Sequence, residues 1–172
     1  MNKECYISKW NPDTPTDGLN REILFRGKGH PKYNDGDWYY GYLLFDGEDY
    51  QIVDPEYCSW RRTVLKETVG EFTGMTDKNG TKIFEGDIVR TQPFYDRPYS
   101  ATRKGKQFLG VVNLHNRTFK GNKVFPEQKY DSFWQVDIIE DTGKYNHYSW
   151  SRFWNCEVVG NKFDNLELLP KE

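Results

Sequence analysis

Long hydrophobic runs are missing from this sequence. No stretch approaches the ~20 apolar residues that a membrane-spanning helix needs. Mean hydropathy is −0.91 and 29% of residues are charged, so a soluble protein without a membrane partner is expected. Cysteine is scarce: Cys5, Cys58 and Cys156 are three residues spread across the whole chain. They are odd in number, and the opening MNKECYISKW has no apolar core to act as an export signal. They therefore read as free thiols in a reducing cytoplasm. The sequons at Asn79 and Asn116 then carry no weight.

Signatures of catalysis are missing too. There is no G-x-S-x-G nucleophile elbow and no G-x-x-x-x-G-K-[ST] phosphate loop. No cysteines pair at zinc spacing, and His30, His115 and His147 are scattered. Asp77-Lys78-Asn79-Gly80 resembles the start of a calcium loop but lacks its later glycine and closing glutamate. Glu85 and Asp87 would share one face of a strand, yet they flank Gly86 at an expected bend, where solvation alone accounts for them. No catalytic residue, cofactor or metal is expected. The enzymatic alternative requires a site assembled from distant residues.

Aromatic residues are plentiful. They make up 17% of the chain, nearly half of its 36% hydrophobic content, and 15 glycines punctuate them. That composition favours strands. No segment holds a helical period over 11 residues or more, so an all-β fold with at most short helices is expected. The length of 172 residues suits one domain that buries a core without disulfides. Residues 1–20 are polar and hold Pro12, Pro15 and Gly18, which reads as a poorly structured arm. Residues 21–172 form the domain.

Strands are expected at Arg21–Arg26, Trp38–Phe45 and Tyr50–Val53, with a loop at Gly27–Gly36 and a hairpin turn at Asp46-Gly47. Pro55–Trp60 reads as a connection, and Arg61–Glu67 as a single helical turn or an extended link, the β-branched Thr63, Val64 and Thr68 favouring the extended form. Further strands are expected at Phe108–Leu114, bent at Gly110, and at Phe133–Ile139, with a turn at Arg117–Lys123 between them. Glu157–Gly160 and Phe163–Leu169 close the chain.

The stretch VGEFTGMTDKNGTKIFEGDIVR, residues 69–90, organises the rest. Asn79-Gly80 predicts a type I′ hairpin turn, which needs positive φ at both residues. Gly86, inside the following apolar run, predicts a bulge or sharp bend of the kind that curls a small sheet.

At FTGMTDKNGTKIFEGDIV the chain resembles the YopX family of phage and prophage proteins. REILFRGKG with DWYYGYLL (residues 21–29 and 37–44) is similar to that family's opening segment, and EVVGNKFDNLELL (residues 157–169) to its closing one. Leu166 stands where the closing motif more often has proline, and residues 92–129 form a basic excursion that follows no family pattern. The resemblance implies a phage-encoded protein in a bacterial cytoplasm. It also implies an SH3-like barrel or roll, to which an aromatic-rich N-terminal hairpin is added. It implies no activity.

Charge is divided by segment. Between Tyr33 and Trp60 there is no Lys or Arg, against seven carboxylates; between Arg97 and Pro126 there is no Asp or Glu, against seven bases. The basic segment interleaves Tyr99, Phe108, His115, Phe119 and Phe125. Three readings stand side by side. Arg103, Lys104, Lys106, Arg117, Lys120 and Lys123 hold the phosphates of single-stranded nucleic acid while rings stack on its bases. Alternatively, the acidic and basic segments pair, within one chain or between copies in a homo-oligomer. In the third reading the segment is a solvated loop. Trp38, Tyr40 and Tyr42 would share one strand face, with Tyr39 on the other. They read either as a contact surface for a host protein or another copy, or as rings covered within the fold.

Overall fold

Strands form where rings and β-branched residues alternate, and turn residues end them. The computed structural model describes residues 22–33, 36–57, 59–91, 107–119, 128–140, 147–149 and 155–170. For 117–119, 128–131 and 147–149 it describes the backbone alone. The expected arm at 1–20 lies outside these residues. The chain divides into two units, Met1–Val69 and Gly70–Glu172.

The first unit contains β1 (Phe25–Lys28), β2 (Trp38–Phe45), β3 (Tyr50–Val53) and β4 (Arg61–Val64), then a 3-10 turn at Lys66–Thr68. Neighbouring strands pair antiparallel in the order β4-β3-β2-β1. The β2–β3 hairpin lies where the sequence predicts it. β1 starts later than expected and takes Gly27 and Lys28 out of the predicted loop. The local pattern favours Ile23, but Ile23 is exposed, whereas Arg26 is buried. The sheet curls far enough for an isolated bridge between Gly29 and Val64. Leu65 N–H donates to the Lys28 carbonyl at 2.8 Å and His30 N–H to that of Thr63 at 2.9 Å. Thr68 holds this seam, its hydroxyl accepting from Lys28 N–H at 2.9 Å and donating to the Leu65 carbonyl at 2.7 Å.

The second unit contains β5 (Gly70–Thr76), β6 (Lys82–Phe84), β7 (Asp87–Arg90), β8 (Leu109–Phe119), β9 (Gln128–Ile138), β10 (His147–Ser149) and β11 (Glu157–Asn161). β5 and β6 form a hairpin, and the other five strands form an antiparallel sheet in the order β10-β9-β8-β7-β11. A 3-10 turn at Leu166–Leu168 follows. Among the described residues there is no α-helix and no closed barrel. The central hairpin, the strand after it and the closing segment do come together. Ile83, Val89, Val112, Trp134, Val136 and Cys156 make one buried cluster, with Met75, Ile138 and Val158 packed against it. Each fully buried aliphatic side chain there contributes about 1.5–3 kcal/mol.

Three local expectations are corrected. Only Gly80 of the Asn79-Gly80 pair has positive φ, at 85°. Asp77 N–H donates to the Thr81 carbonyl at 2.8 Å and Gly80 N–H to that of Asp77 at 3.0 Å. This is a three-residue loop with glycine in the left-handed position, not a type I′ turn. Gly110 is not a bend: it pairs in register with Val89 and Ile138, and glycine is required there because a Cβ would strike Val136 Cγ1 and the Asp137 carbonyl. The expected turn at Arg117–Lys123 does not begin at Arg117, since β8 runs through Phe119 with a bulge between Asn116 and Thr118, and residues 120–123 lie outside the described residues.

Gly86 is the bend the sequence predicts. Its φ is 82°, it lies between β6 and β7, and its carbonyl accepts from Lys162 N–H at 2.9 Å. A Cβ there would come within 3.2 Å of Phe163 Cε2. Gly86→Ala is expected to cost about 1–2 kcal/mol from the left-handed backbone alone, read as a lower urea midpoint with an unchanged slope.

Candidate functional site

Two surfaces carry chemistry, one in each unit. In the first unit, β2 presents alternate residues to opposite faces. Trp38 pairs with Lys28, Tyr40 with Arg26, and Tyr42 with Val53. These are the three residues the sequence nominates for contact, and they share a face. The buried guanidinium of Arg26 lies 4.9 Å from the Trp38 ring, so Trp38 serves partly to cover a charge. Tyr40 is exposed.

The opposite face holds rings that sequence reasoning missed. Arg62, on β4, lies 5.7 Å from the Tyr39 ring and 5.9 Å from that of Trp60. Tyr57 and Trp60 are 5.4 Å apart, centroid to centroid, and remain 57% and 58% exposed. Further along, Lys66 lies 5.7 Å from the Tyr50 ring, which is 5.0 Å from exposed Phe45. Cations within about 6 Å of a ring face are attracted by its quadrupole. The missed signal is the Tyr57/Trp60 pair itself, two large rings in a polar connection.

Carboxylates border these rings at both ends of the sheet. Asp46 Oδ1 accepts from Glu48 N–H at 3.1 Å and Asp49 N–H at 2.8 Å, and these two bonds hold its carboxyl below the usual range. Asp54 Oδ1 accepts from Glu56 and Tyr57 N–H at 2.8 and 2.9 Å. Part of the acidic charge noted in the sequence is thus turn chemistry.

In the second unit, β8 and β9 present a polar face. Asn113 pairs with Gln135 and His115 with Phe133. Asp137 is the hub. It accepts from Asn113 Nδ2 at 2.6 Å and Gln135 Nε2 at 2.7 Å, and His115 Nε2 lies 2.9 Å from its Oδ2. Burial would raise the Asp137 carboxyl, but the bonds from Asn113, Gln135 and His115 outweigh it and hold the group low. His115 also stacks on Phe133 at 5.9 Å. The sequence gives this away only as two alternating pairs, Asn113-x-His115 and Gln135-x-Asp137, which nothing local connects.

Of the nominated bases, Arg103, Lys104, Lys106, Lys120 and Lys123 lie outside the described residues. Arg117 is on β8, described by its backbone only. Glu85 and Asp87 do not converge as a pair: Glu85 is in the turn, while buried Asp87 accepts from Phe84 N–H at 2.8 Å. Burial, then the charge of Asp77, pushes the Cys156 thiol up to about 11, which suits a packing residue and not a nucleophile. Among the described side chains, no group of three or more His, Cys, Asp or Glu is placed to hold a metal ion. No described helix is long and apolar enough to cross a membrane.

The described residues define an all-β protein of antiparallel sheets, with exposed rings in one unit and a hydrogen-bonded carboxylate face in the other. The chain belongs to the YopX family, whose model, described as YopX protein, matches residues 45–170. The matched region begins inside β2, so the opening motifs at 21–29 and 37–44 precede it. A search of curated proteins finds no match.

Proposed function

We propose that this is a non-enzymatic phage or prophage accessory protein that works by binding, as a homo-oligomer in the bacterial cytoplasm. The central hairpin, β8 and the closing β11, which meet around one buried cluster in the second unit, support an SH3-like roll as the scaffold, to which the aromatic N-terminal hairpin is added. The observation that carries the reading is the ring surface around Arg62, where Tyr57 and Trp60 stay exposed. Large exposed rings beside a guanidinium are typical anchors of protein contacts. Asp46, Glu48, Asp49, Asp54 and Glu56 lie next to these rings in the chain. Such a border repels phosphate and favours a basic polypeptide. The segment from Arg97 to Pro126 of a second copy has that chemistry, with seven bases and no carboxylate.

Sedimentation across salt concentrations tests this. The wild type is expected to self-associate at low salt and to dissociate as salt rises, since exposed charges are screened within about 10 Å at 0.1 M. Tyr57→Ala combined with Trp60→Ala is expected to stay monomeric at low salt with its fold intact. An oligomer indifferent to that double change would remove this surface from the account. The competing reading gives the same basic segment to nucleic acid. It predicts that the chain retains single-stranded DNA and loses it when Arg103, Lys104 and Lys106 are changed to Glu.

A further inference from the structure

The polar face of the second unit continues onto β10. His147 occupies the register position opposite Asp137, and Ser149 the position opposite Gln135. Directly paired residues of antiparallel strands share a face. The fold therefore gathers His115 from β8, Asp137 from β9 and His147 from β10 on one face, although the sequence scatters them. We propose that the juxtaposition of His115, Asp137 and His147 is a binding site for a divalent first-row transition metal ion.

Two imidazoles and one carboxylate are a ligand set that such ions accept, with positions left open for water or a further ligand. The described geometry suits it. His115 Nε2 lies 2.9 and 3.1 Å from the two Asp137 oxygens. Two ligand atoms each about 2.1 Å from one ion, on adjacent octahedral positions, are themselves about 3.0 Å apart. An ion entering there would take the place of the direct contact between the His115 ring nitrogen and the carboxylate. The flanking amides already do what outer partners of a metal carboxylate do. Asn113 Nδ2 and Gln135 Nε2 each donate to a different Asp137 oxygen, fixing the plane of the group. His115 and Asp137 are about one third exposed, so an ion can reach them.

The test is a titration of the full chain, stripped with chelator, with Co²⁺ and with Zn²⁺. Visible absorption reads the bound cobalt and thermal unfolding reads the stabilisation. One equivalent is expected to saturate both signals. Asp137→Asn and His147→Ala are each expected to weaken binding at least about 100-fold, and Asn113→Ala roughly 10–100-fold, as for an outer partner. His30→Ala, in the other unit, is expected to leave binding unchanged. Unfolding midpoints taken in chelator separate lost binding from lost fold, and His115→Gln provides a second, conservative variant. Failure of Co²⁺ and Zn²⁺ to saturate near one equivalent would overturn the proposal. So would binding that survives His147→Ala intact, and His115–Asp137 would then be a surface ion pair only.

Discussion

Asp77→Ala is expected to destabilise the second unit by about 3 kcal/mol. The side chain is 5% exposed and accepts from Asn79 N–H at 2.8 Å, Thr81 N–H at 2.9 Å and Val158 N–H at 3.0 Å. Alanine leaves these donors without their acceptor. A buried donor so abandoned costs about 1–3 kcal/mol, while the more exposed Asn79 and Thr81 recover part of the loss from water. The pH dependence has a definite sign. Burial would raise the Asp77 carboxyl, but the bonds from Val158, Thr81 and Asn79 prevail and its value in the folded chain is depressed. Its contribution is therefore complete above the unfolded value of about 3.9 and is lost as pH falls through the folded one. Urea unfolding at pH 7 and at pH 3 checks both points. Asp77→Asn should be much weaker than wild type at pH 7, and the gap should narrow at pH 3. A gap that stays constant would mean that the carboxylate charge does not matter.

Gly41→Ala is expected to cost about 3 kcal/mol or more, at the upper end of overpacking penalties. Gly41 lies between Tyr40 and Tyr42 in β2, and a Cβ there would fall on the Val53 carbonyl oxygen. The Val53 carbonyl carbon would be at 2.9 Å and Ile52 Cγ2 at 3.2 Å. A strand backbone cannot rotate away as a side-chain end can, so β2 and β3 must separate. The rings on both faces of β2 would shift with it. Thermal unfolding and tryptophan fluorescence read this together. An unaltered midpoint with an unaltered spectrum would show that β3 yields at no cost.

Local chemistry made the strands legible. Trp38–Phe45, Asp46-Gly47 and Tyr50–Val53 announce a hairpin by alternation and turn residues, and it forms over those residues. Gly86 announces its bend because few other residues adopt positive φ. What stayed hidden depends on partners far away in the chain. Nothing near Gly110 says that β9 will lie against it. Asp77 reads as an ordinary turn residue until Val158 arrives. The same limit governs the surfaces: Trp38, Tyr40 and Tyr42 share a face by simple alternation, but the Arg62–Trp60–Tyr57 surface follows from how β4 enters the sheet. His115 and Asp137, 22 positions apart, meet only through the β8–β9 register.

The pin between the central turn and the closing strand has a consequence for the order of events during synthesis. Lys78 N–H donates to the Cys156 carbonyl at 3.0 Å, and Lys78 Nζ pairs with Glu157 at 2.8 Å. β11 then pairs with β7. The strands of the first unit pair with their neighbours in sequence, so those contacts can form early. In the second unit the central turn and β7 gain these partners only when residues 156–161 have been made, and contacts of such long separation form slowly. A nascent or truncated chain lacking Glu157–Asn161 would expose the free edge of β7, where Ile88 and Val89 are otherwise fully buried. Such an edge is a template for pairing with other chains. The final strand thus works as a latch, and its loss should make the chain aggregate.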